Sequence, residues 1–554
     1  MNPAQFLSHF DRISEAPDAI SRLRRFILNL AVRGKLVEQD PRDEPASELL
    51  KRIEAEKTRL VKEGEIRKQD VELLGSDETP FKLPANWAWT RLGEICSKTG
   101  SGSTPRGGQS AYQDRGVPFL RSQNIYDEGL RLDDVVYIDR QTHHRMGGTV
   151  VRPADLLLNI TGGSMGRCCR VPDDFIEANV SQHVAIIRVA VLGMQDFLHR
   201  LTLSPYFQSF IFDEQTGAGR GGLPKNKMDR IPVALPPLVE QQRIVAKVDE
   251  LMALCDRLEV AQAERESGRD RLTSASLQRL NNGADTDAFR DHARFYFNNL
   301  PRLTTRPEHI QQLRQTILNL AVRGKLVPQD PHDEPAAKML GTHELFPDAE
   351  NEPWELPSGW AWSSLDLIGE TLGGGTPSKA DPKYWNGTIP WVSPKDMKVD
   401  VIKDSLDHIS ESAVKNSSTR LIPTGSLLIV VRGMILAHSF PTAISAVPLT
   451  INQDMKAILP FRPDLIRMLL LLTKGLKPEV LQLVLRSTHG TCKLLTADLF
   501  SLPIPIPPLA EQQRIAAKVD ELMALCDRLE AQLTTTQTES RRLLEATLHH
   551  VLTA

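Results

Sequence analysis

The chain of 554 residues is written twice. Ile27-Leu-Asn-Leu-Ala-Val-Arg-Gly-Lys-Leu-Val37 recurs letter for letter at Ile317–Val327, and eighteen of the twenty positions in 27–46 match 317–336. A second block, Glu240–Glu259, recurs at Glu511–Glu530 with one change, Val245 against Ala516. A fainter echo joins Leu83-Pro-Ala-Asn-Trp-Ala-Trp89 to Leu356-Pro-Ser-Gly-Trp-Ala-Trp362. Such a repeat restricts the chain to architectures that use one structural plan twice. Between the echoes the halves diverge almost completely, although their lengths match to within a few residues. Near-identical frames with different contents suggest two equivalent platforms that present different surfaces, as reading two unlike half-sites on one ligand requires. Duplication followed by drift in loops is the plainer alternative.

The frames read as helices. After Pro17-Asp18, apolar residues fall at Ile20, Leu23, Ile27 and Leu30, and Gly34 supplies a stop; Ile310, Leu313, Ile317, Leu320 and Gly324 keep the same offsets. The other block follows Pro236-Pro237 and Pro507-Pro508, which fix an extended approach before a helix can start. Ile244, Val248, Leu251, Cys255 and Leu258 step by 4, 3, 4 and 3, and Ile515, Val519, Leu522, Cys526 and Leu529 do the same. That is a coiled-coil seam, and its simplest partner is the other copy. A helix from about Glu240 to Leu280 extends roughly 60 Å and could hold two domains a set distance apart. Asn281-Asn282-Gly283-Ala284-Asp285 reads as the break after it. Ser47–Leu74 reads as a solvent-facing amphipathic helix, and its counterpart, about 337–352, as a shorter loop.

The divergent regions mix short apolar runs with Gly and Pro. Val117–Leu120, Leu156–Ile160 and Val184–Val189 read as strands, with Ile389–Val392, Leu427–Val431 and Met455–Leu459 in the same places of the second half. Helical stretches follow near 195–212 and 464–485. The expected fold class is α+β, with two such domains mounted on long helices and related by a pseudo-two-fold internal repeat. The expected boundaries are 1–83, 84–238, 239–353, 354–508 and 509–554.

Composition narrows the function classes. A hydrophobic fraction of 41% and a charged fraction of 25% are those of a globular protein, and a net charge of -3 excludes a histone-like polycation. The opening Met1-Asn-Pro-Ala-Gln-Phe6 lacks a basic stretch leading into an apolar one, and Leu465–Leu472 is too short to span a bilayer. The expectation is a cytoplasmic protein with no membrane contact. Six cysteines show no C-x-x-C pair, and fourteen histidines form no metal or triad constellation, with His143-His144 reading as a surface pair. No P-loop and no Asn-Pro-Pro-Tyr or Asp-Pro-Pro-Tyr motif occurs, so neither ATP hydrolysis nor amino-methyl transfer is expected of this chain. The D-x-K spacings at Asp381–Lys383 and Asp396–Lys398 lack an acidic partner for nuclease chemistry. Glycine clusters at Gly100–Gly108, Gly217–Gly222 and Gly373–Gly375 lack the Lys-Ser/Thr of a phosphate cradle and read as loops or turns.

The P-P-L-x-E-Q-Q-R-I-x-x-K-V-D-E-L-M block at 236–252 and 507–523, with the Leu-Pro-x-x-Trp-x-Trp lead-in to each divergent region, resembles the specificity subunit of type I restriction-modification systems. The segment Ala55–Gly64 is similar to the one before the first recognition domain in many members. The resemblance implies that 84–238 and 354–508 are target recognition domains, each reading half of a bipartite double-stranded DNA target across an unspecified spacer. It implies an antiparallel coiled coil that docks two modification (methyltransferase) subunits, with restriction (translocase and nuclease) subunits joining, and a nucleoid-associated prokaryotic setting. S-adenosylmethionine, ATP and Mg are implied for those partners and no cofactor or metal for this chain, which is non-catalytic. The rivals are a stand-alone bipartite DNA-binding regulator and a self-sufficient modification enzyme.

Guanine is read by Arg or Lys and adenine by Asn or Gln. Arg121-Ser-Gln123-Asn124 follows a strand and is the leading cluster of the first region, with Arg106, Arg167, Arg220, Lys225 and Lys227 as further phosphate or base candidates. In the second, Lys395 lies in the aligned cluster Ser393-Pro-Lys395-Asp396, joined by Lys379, Arg432 and Lys493. Gln182 and Gln453 occupy matching places, where a structural glutamine is the competing reading. Residues 96–235 carry 16 Lys and Arg against 14 Asp and Glu, and 371–505 carry 15 against 10, so the positive charge sits in the divergent regions. Such mild charge predicts weak nonspecific DNA binding by the lone chain.

Overall fold

The computed structural model describes residues 16, 18–67, 74–75, 78–213, 222–282, 286–341, 345–346, 353–486 and 490–553. The chain divides into two compact units, 1–264 with 537–554 and 265–536. Each holds an opening helix, Ala19–Val32 in the first and Pro307–Val322 in the second. Two unbroken helices of 45 residues, Leu238–Asn282 and Leu509–Thr553, each begin in one unit and end in the other. The expected break after the first falls at its end, with 283–285 outside the described residues.

The repeated sequences are the two faces of one contact, made once per unit. Ile244, Val248 and Cys255 of the first long helix are buried against Ile27, Leu28 and Ala31 of the opening helix. Ile515, Val519 and Cys526 share a core with Ile310, Leu313 and Ile317. Polar contacts repeat with the apolar ones: Gln39 donates to Glu240 at 3.1 Å and Gln329 to Glu511 at 3.1 Å. Arg24 pairs with Asp256 at 2.6 Å and Arg314 with Asp527 at 2.6 Å. The expectation that the seam's simplest partner is the other copy is therefore corrected for Ile244, Val248 and Cys255, which meet the opening helix of their own unit, whereas the core of Ile515, Val519 and Cys526 also holds Leu277 and Leu280 from the end of the first long helix. Leu251, Leu522 and Leu529 are partly buried in the same cores, and Leu258 remains 38% exposed. A stripe of period 3.5 announces that a partner helix exists and leaves its identity open.

The aromatic lead-ins close the same corner. Gly34 and Gly324 end their helices at φ +68° and +64°, and a Cβ there would lie 2.4 Å from Cγ of Pro84 and of Pro357. Only glycine accepts both the left-handed backbone and the proline. Behind each lead-in, the strand that enters the divergent region pairs antiparallel with the strand that leaves it: Ala88–Arg91 with Pro232–Leu235, and Ala361–Ser363 with Ile504–Ile506.

The first divergent region holds an antiparallel sheet in the order Cys96–Ser101, Val184–Val189, Leu156–Asn159, Cys168–Arg170. A mixed sheet follows the order Val136–Ile138, Val117–Leu120, Ala178–Val180, Val150–Val151, with Val117–Leu120 parallel to Ala178–Val180. The second region repeats the plan, with Ile389–Val392 parallel to Thr450–Ile451 and Leu427–Val430 antiparallel to Met455–Pro460. Helices Gln195–Leu203 and Ile466–Gly475 cover the sheets. The fold is thus α+β, as expected.

Two local expectations change. The charged helix spans Ala46–Lys62 and is not simply solvent-facing: Ala46, Leu49 and Ile53 are buried with Leu92, Ile95 and Cys96 of the divergent region. Its Lys57 Nζ donates to the carbonyls of Gly93 and Glu94 at 2.8 and 3.0 Å, and burial pushes its pKa down. The counterpart, expected as a loop, includes the single helical turn Ala336–Met339; 68–73, 342–344 and 347–352 lie outside the described residues.

Candidate nucleic-acid interface

In the first unit, strand ends feed one cluster of loops whose backbones are tied together. Ser181 N donates to Leu120 O at 2.9 Å, Ser103 N to Val180 O at 3.2 Å, and Ile160 N to His183 O at 3.0 Å. The second unit builds the same junction: Asn452 N donates to Val392 O at 3.0 Å, Gly375 N to Ile451 O at 2.9 Å, and Val431 N to Asp454 O at 2.9 Å. A Cβ on Gly102 would lie 1.9 Å from Val180 O, and one on Gly374 would lie 2.1 Å from Asn452 O. These glycines let a loop close against the neighbouring strand end. Gly102 in the first cluster and Gly374 and Gly375 in the second are therefore explained by packing, whereas Gly108 has open space beside it, and 217–221 lies outside the described residues.

On this scaffold the predicted readers separate into three groups. Exposed on the loops of the first unit are Arg106, Gln123, Arg167 and Gln182, and on those of the second Lys379, Lys395, Arg432, Gln453 and Lys493. Arg432 and Lys493 face each other across an isolated β-bridge, which brings two cations to one edge. Among the described residues only Asp454, 4.0 Å from the Arg432 guanidinium, forms an ion pair with either of them. Gln123 donates to Asp134, and Gln453 accepts from the hydroxyl of Thr376.

A second group is held by its own unit. Lys225, at the start of the short helix Lys225–Asp229, is engaged by Asp229 and by Thr99 at 3.0 Å. Lys227 is half-buried on that helix. Arg121 donates to the Asp134 carbonyl at 3.0 Å and lies over the Tyr112 ring at 5.9 Å.

Asn124 is a correction. Fully buried, it accepts from Arg121 N at 2.9 Å and donates to Arg131 O and Asp134 Oδ1 at 3.0 Å each, so no amide edge is left for a base. Its counterpart Asp396 does the same work, accepting from Ser393 N at 2.8 Å and Leu406 N at 3.0 Å. Asp381 likewise accepts from Lys383 N at 3.1 Å, so both D-x-K acids serve local turns. His143 is also corrected: it is buried and meets Asn179 Oδ1 at 2.7 Å, while His144 is exposed. Arg220 lies outside the described residues.

Sequence reasoning missed Tyr126 and Arg131. Tyr126, on the hairpin formed by Ile125–Tyr126 and Gly129–Leu130, has the Arg131 guanidinium 3.7 Å and that of Arg167 4.8 Å from its ring centroid. Such stacking holds two cations in fixed positions at the protein surface. An aromatic residue five positions before an arginine in a polar loop was the available signal. The neighbouring Asp127 carboxyl is pushed up by burial, while Cys168 N donates to it at 3.1 Å. Among the described residues no group of His, Cys, Asp and Glu could hold a metal ion, and no helix is long and apolar enough to cross a membrane.

Two unlike loop clusters on duplicated frames define a class of proteins that present paired recognition surfaces. Comparison with known proteins shows what the chain is similar to. The sequence profile described as the type I restriction modification DNA specificity domain matches residues 357–536. The type I restriction enzyme EcoEI specificity subunit of Escherichia coli is 28% identical over 569 residues, 95% of this chain and 93% of that one. The EcoAI specificity subunit of the same species is 29% identical over 566 residues, with the same two coverages, 95% and 93%. A solved chain, from work on complex assembly and conformational transition of the type I R-M system, shares the fold. It has a TM-score of 0.51 and 21% identity, over 85% of this chain and 99% of that one. Over nearly its whole length the chain is therefore similar to specificity subunits of type I restriction-modification systems, and its residues 357–536 match their DNA specificity domain.

Proposed function

We propose that 84–238 and 354–508 are two target recognition domains, each reading one half of a bipartite double-stranded DNA sequence. The repeated frames dock two modification subunits, and restriction subunits join the assembly. The observation that carries this reading is the pair of equivalent loop clusters. Their backbone junctions coincide residue for residue, yet one presents Gln123 and Thr161 where the other presents Lys395 and Arg432, beside the matched Gln182 and Gln453. Equivalent placement with different donors and acceptors is what two unlike half-sites require.

In this reading the chain catalyses nothing. Methyl transfer from S-adenosylmethionine and ATP-driven cleavage with Mg belong to the partner subunits, and the setting is the prokaryotic cytoplasm and nucleoid. The test is a base-modification map of host DNA, with this gene intact or deleted and its neighbours still expressed. A two-part methylated motif that disappears on deletion supports the reading. An unchanged pattern beside an active methyltransferase partner overturns it in favour of a stand-alone regulator.

A further inference from the structure

The two long helices begin with near-identical sequence and end with different sequence, and their ends close different units. In the first unit the end of Leu509–Thr553 lies against the opening helix: Leu544 is buried with Ala16 and Ala19, and Arg541 sits 3.5 Å from Asp18. Arg22 adds contacts to Asp18 at 2.7 Å and to Glu545 at 3.8 Å. In the second unit the end of Leu238–Asn282 does the equivalent work by other means. Asp270 pairs with Arg306 and accepts from the buried His309 Nε2 at 2.8 Å, and Thr273 donates to Leu303 O at 3.1 Å.

The repeat register puts these contacts side by side. Glu240 matches Glu511, so Asp270 matches Arg541 and Thr273 matches Leu544; Ile27 matches Ile317, so Arg306 matches Ala16 and His309 matches Ala19. At equivalent positions, small apolar residues facing a leucine and a base are replaced by two large nitrogen donors facing a threonine and an acid. We propose that the helix ends are keyed to their opening helices by this inverted chemistry. Each end takes the opening helix of its own closing contact and rejects the other, and a second copy of the chain is not joined through exchanged ends.

Exchange is unfavourable in both directions. The 265–282 end on the first opening helix would set Asp270 beside Asp18 without Arg306 and His309. The 537–553 end on the second would drive Leu544 and Arg541 onto Arg306 and His309, with only the exposed Glu308 in the place of Asp18. Near-identical frames need such a key, because head-to-tail joining that does not close on itself generates open chains of molecules.

The test uses the full chain, hydrogen exchange resolved to 265–282 and 537–553, and light scattering across a concentration series. Asp270→Arg should speed exchange in 265–282 about tenfold, as expected for losing charge-assisted hydrogen bonds to a buried group, and leave 537–553 unchanged. Adding Thr273→Leu, Arg306→Ala and His309→Ala converts the second contact to the first kind. It should restore protection to within about twofold and add dimers or larger species where the natural chain has none. Unaltered exchange in Asp270→Arg overturns the proposal, as does a protected four-fold variant whose mass matches the natural chain at every concentration. If the four-fold variant does not fold, Asp270→Arg and Leu544→Thr decide together: each must loosen its own helix end alone, and a shared or absent effect overturns the key.

Discussion

Asp43 receives Arg243 through two contacts, 2.6 Å and 3.3 Å long, and Asp333 receives Arg514 through two of the same lengths, 2.6 Å and 3.3 Å. The acid is the better buried partner in each case, 9% exposed against 35% and 36% for the arginines. The pair therefore joins the loop after the opening helix to the first turns of the long helix in both units. Removing the arginine leaves an acid short of its donors. Arg243→Ala should destabilise the first unit by about 1 kcal/mol, with faster hydrogen exchange over 19–46. The same residues of the second unit, 309–336, should stay unchanged, and Arg514→Ala should give the mirror result.

Gly324 carries two constraints that a double variant separates. Gly324→Ala should cost about 2 kcal/mol, because alanine is strained at this φ and its Cβ meets Pro357. Pro357→Ala in the same chain removes the clash and leaves the backbone strain, so thermal unfolding should recover only part of the loss. Full recovery would place the whole cost in the proline contact.

Glu511 sits in the first turn of the second long helix, accepting from Trp360 Nε1 at 3.0 Å and Gln329 Nε2 at 3.1 Å. Burial is the larger influence and raises its pKa above the ordinary 4.5, although both donors oppose the rise. The folded state therefore holds this proton more tightly than the unfolded one. Its contribution to stability is fully present below 4.5 and is lost as pH rises through the raised value. Glu511→Gln removes the titration, so the stability of the natural chain relative to this variant should fall as pH rises from the carboxylate range towards neutrality. A difference independent of pH would contradict the raised pKa.

The loop residues separate proposed DNA contacts from supports of the fold. Arg432→Ala, measured on the assembled complex, should weaken DNA binding and reduce the dependence of log affinity on log salt by about one contact, with unfolding unchanged. Asn124→Ala should do the reverse at the protein level. It strands Arg121 N and the loop carbonyl of Arg131, and should cost about 1–3 kcal/mol of stability before any DNA is added.

The repeat exposed the frames in the sequence because many repeated residues have a repeated partner. Gln39 and Gln329, Arg24 and Arg314, and Gly34 and Gly324 all make the same contact twice. What covers the apolar stripe stayed hidden, since periodicity records a buried face and not its neighbour. Asn124 was misread because the residue types that read adenine also cap turns. The aligned Asp396, which cannot offer an adenine the same pattern, was the sign that this position belongs to the backbone. The keyed helix ends were invisible for a different reason. They lie where the two halves stop matching, and only the contacts show that unlike residues face each other in register.

The hydrogen-bonded pairs that close each divergent region, Ala88–Arg91 with Pro232–Leu235 and Ala361–Ser363 with Ile504–Ile506, have an evolutionary consequence. Chain enters and leaves through neighbouring strands, so each insert is joined to its frame through one two-stranded neck. A foreign insert must match that neck and also the face turned to the frame, where Phe197 packs with Ile27 and Arg200 meets Asp249 at 2.7 Å in the first unit and Gln315 donates to the Lys474 carbonyl at 3.3 Å in the second. Both necks are antiparallel, with four residue pairs in the first and three in the second, so divergence is confined to the chain between them while the seam under each frame keeps its sequence.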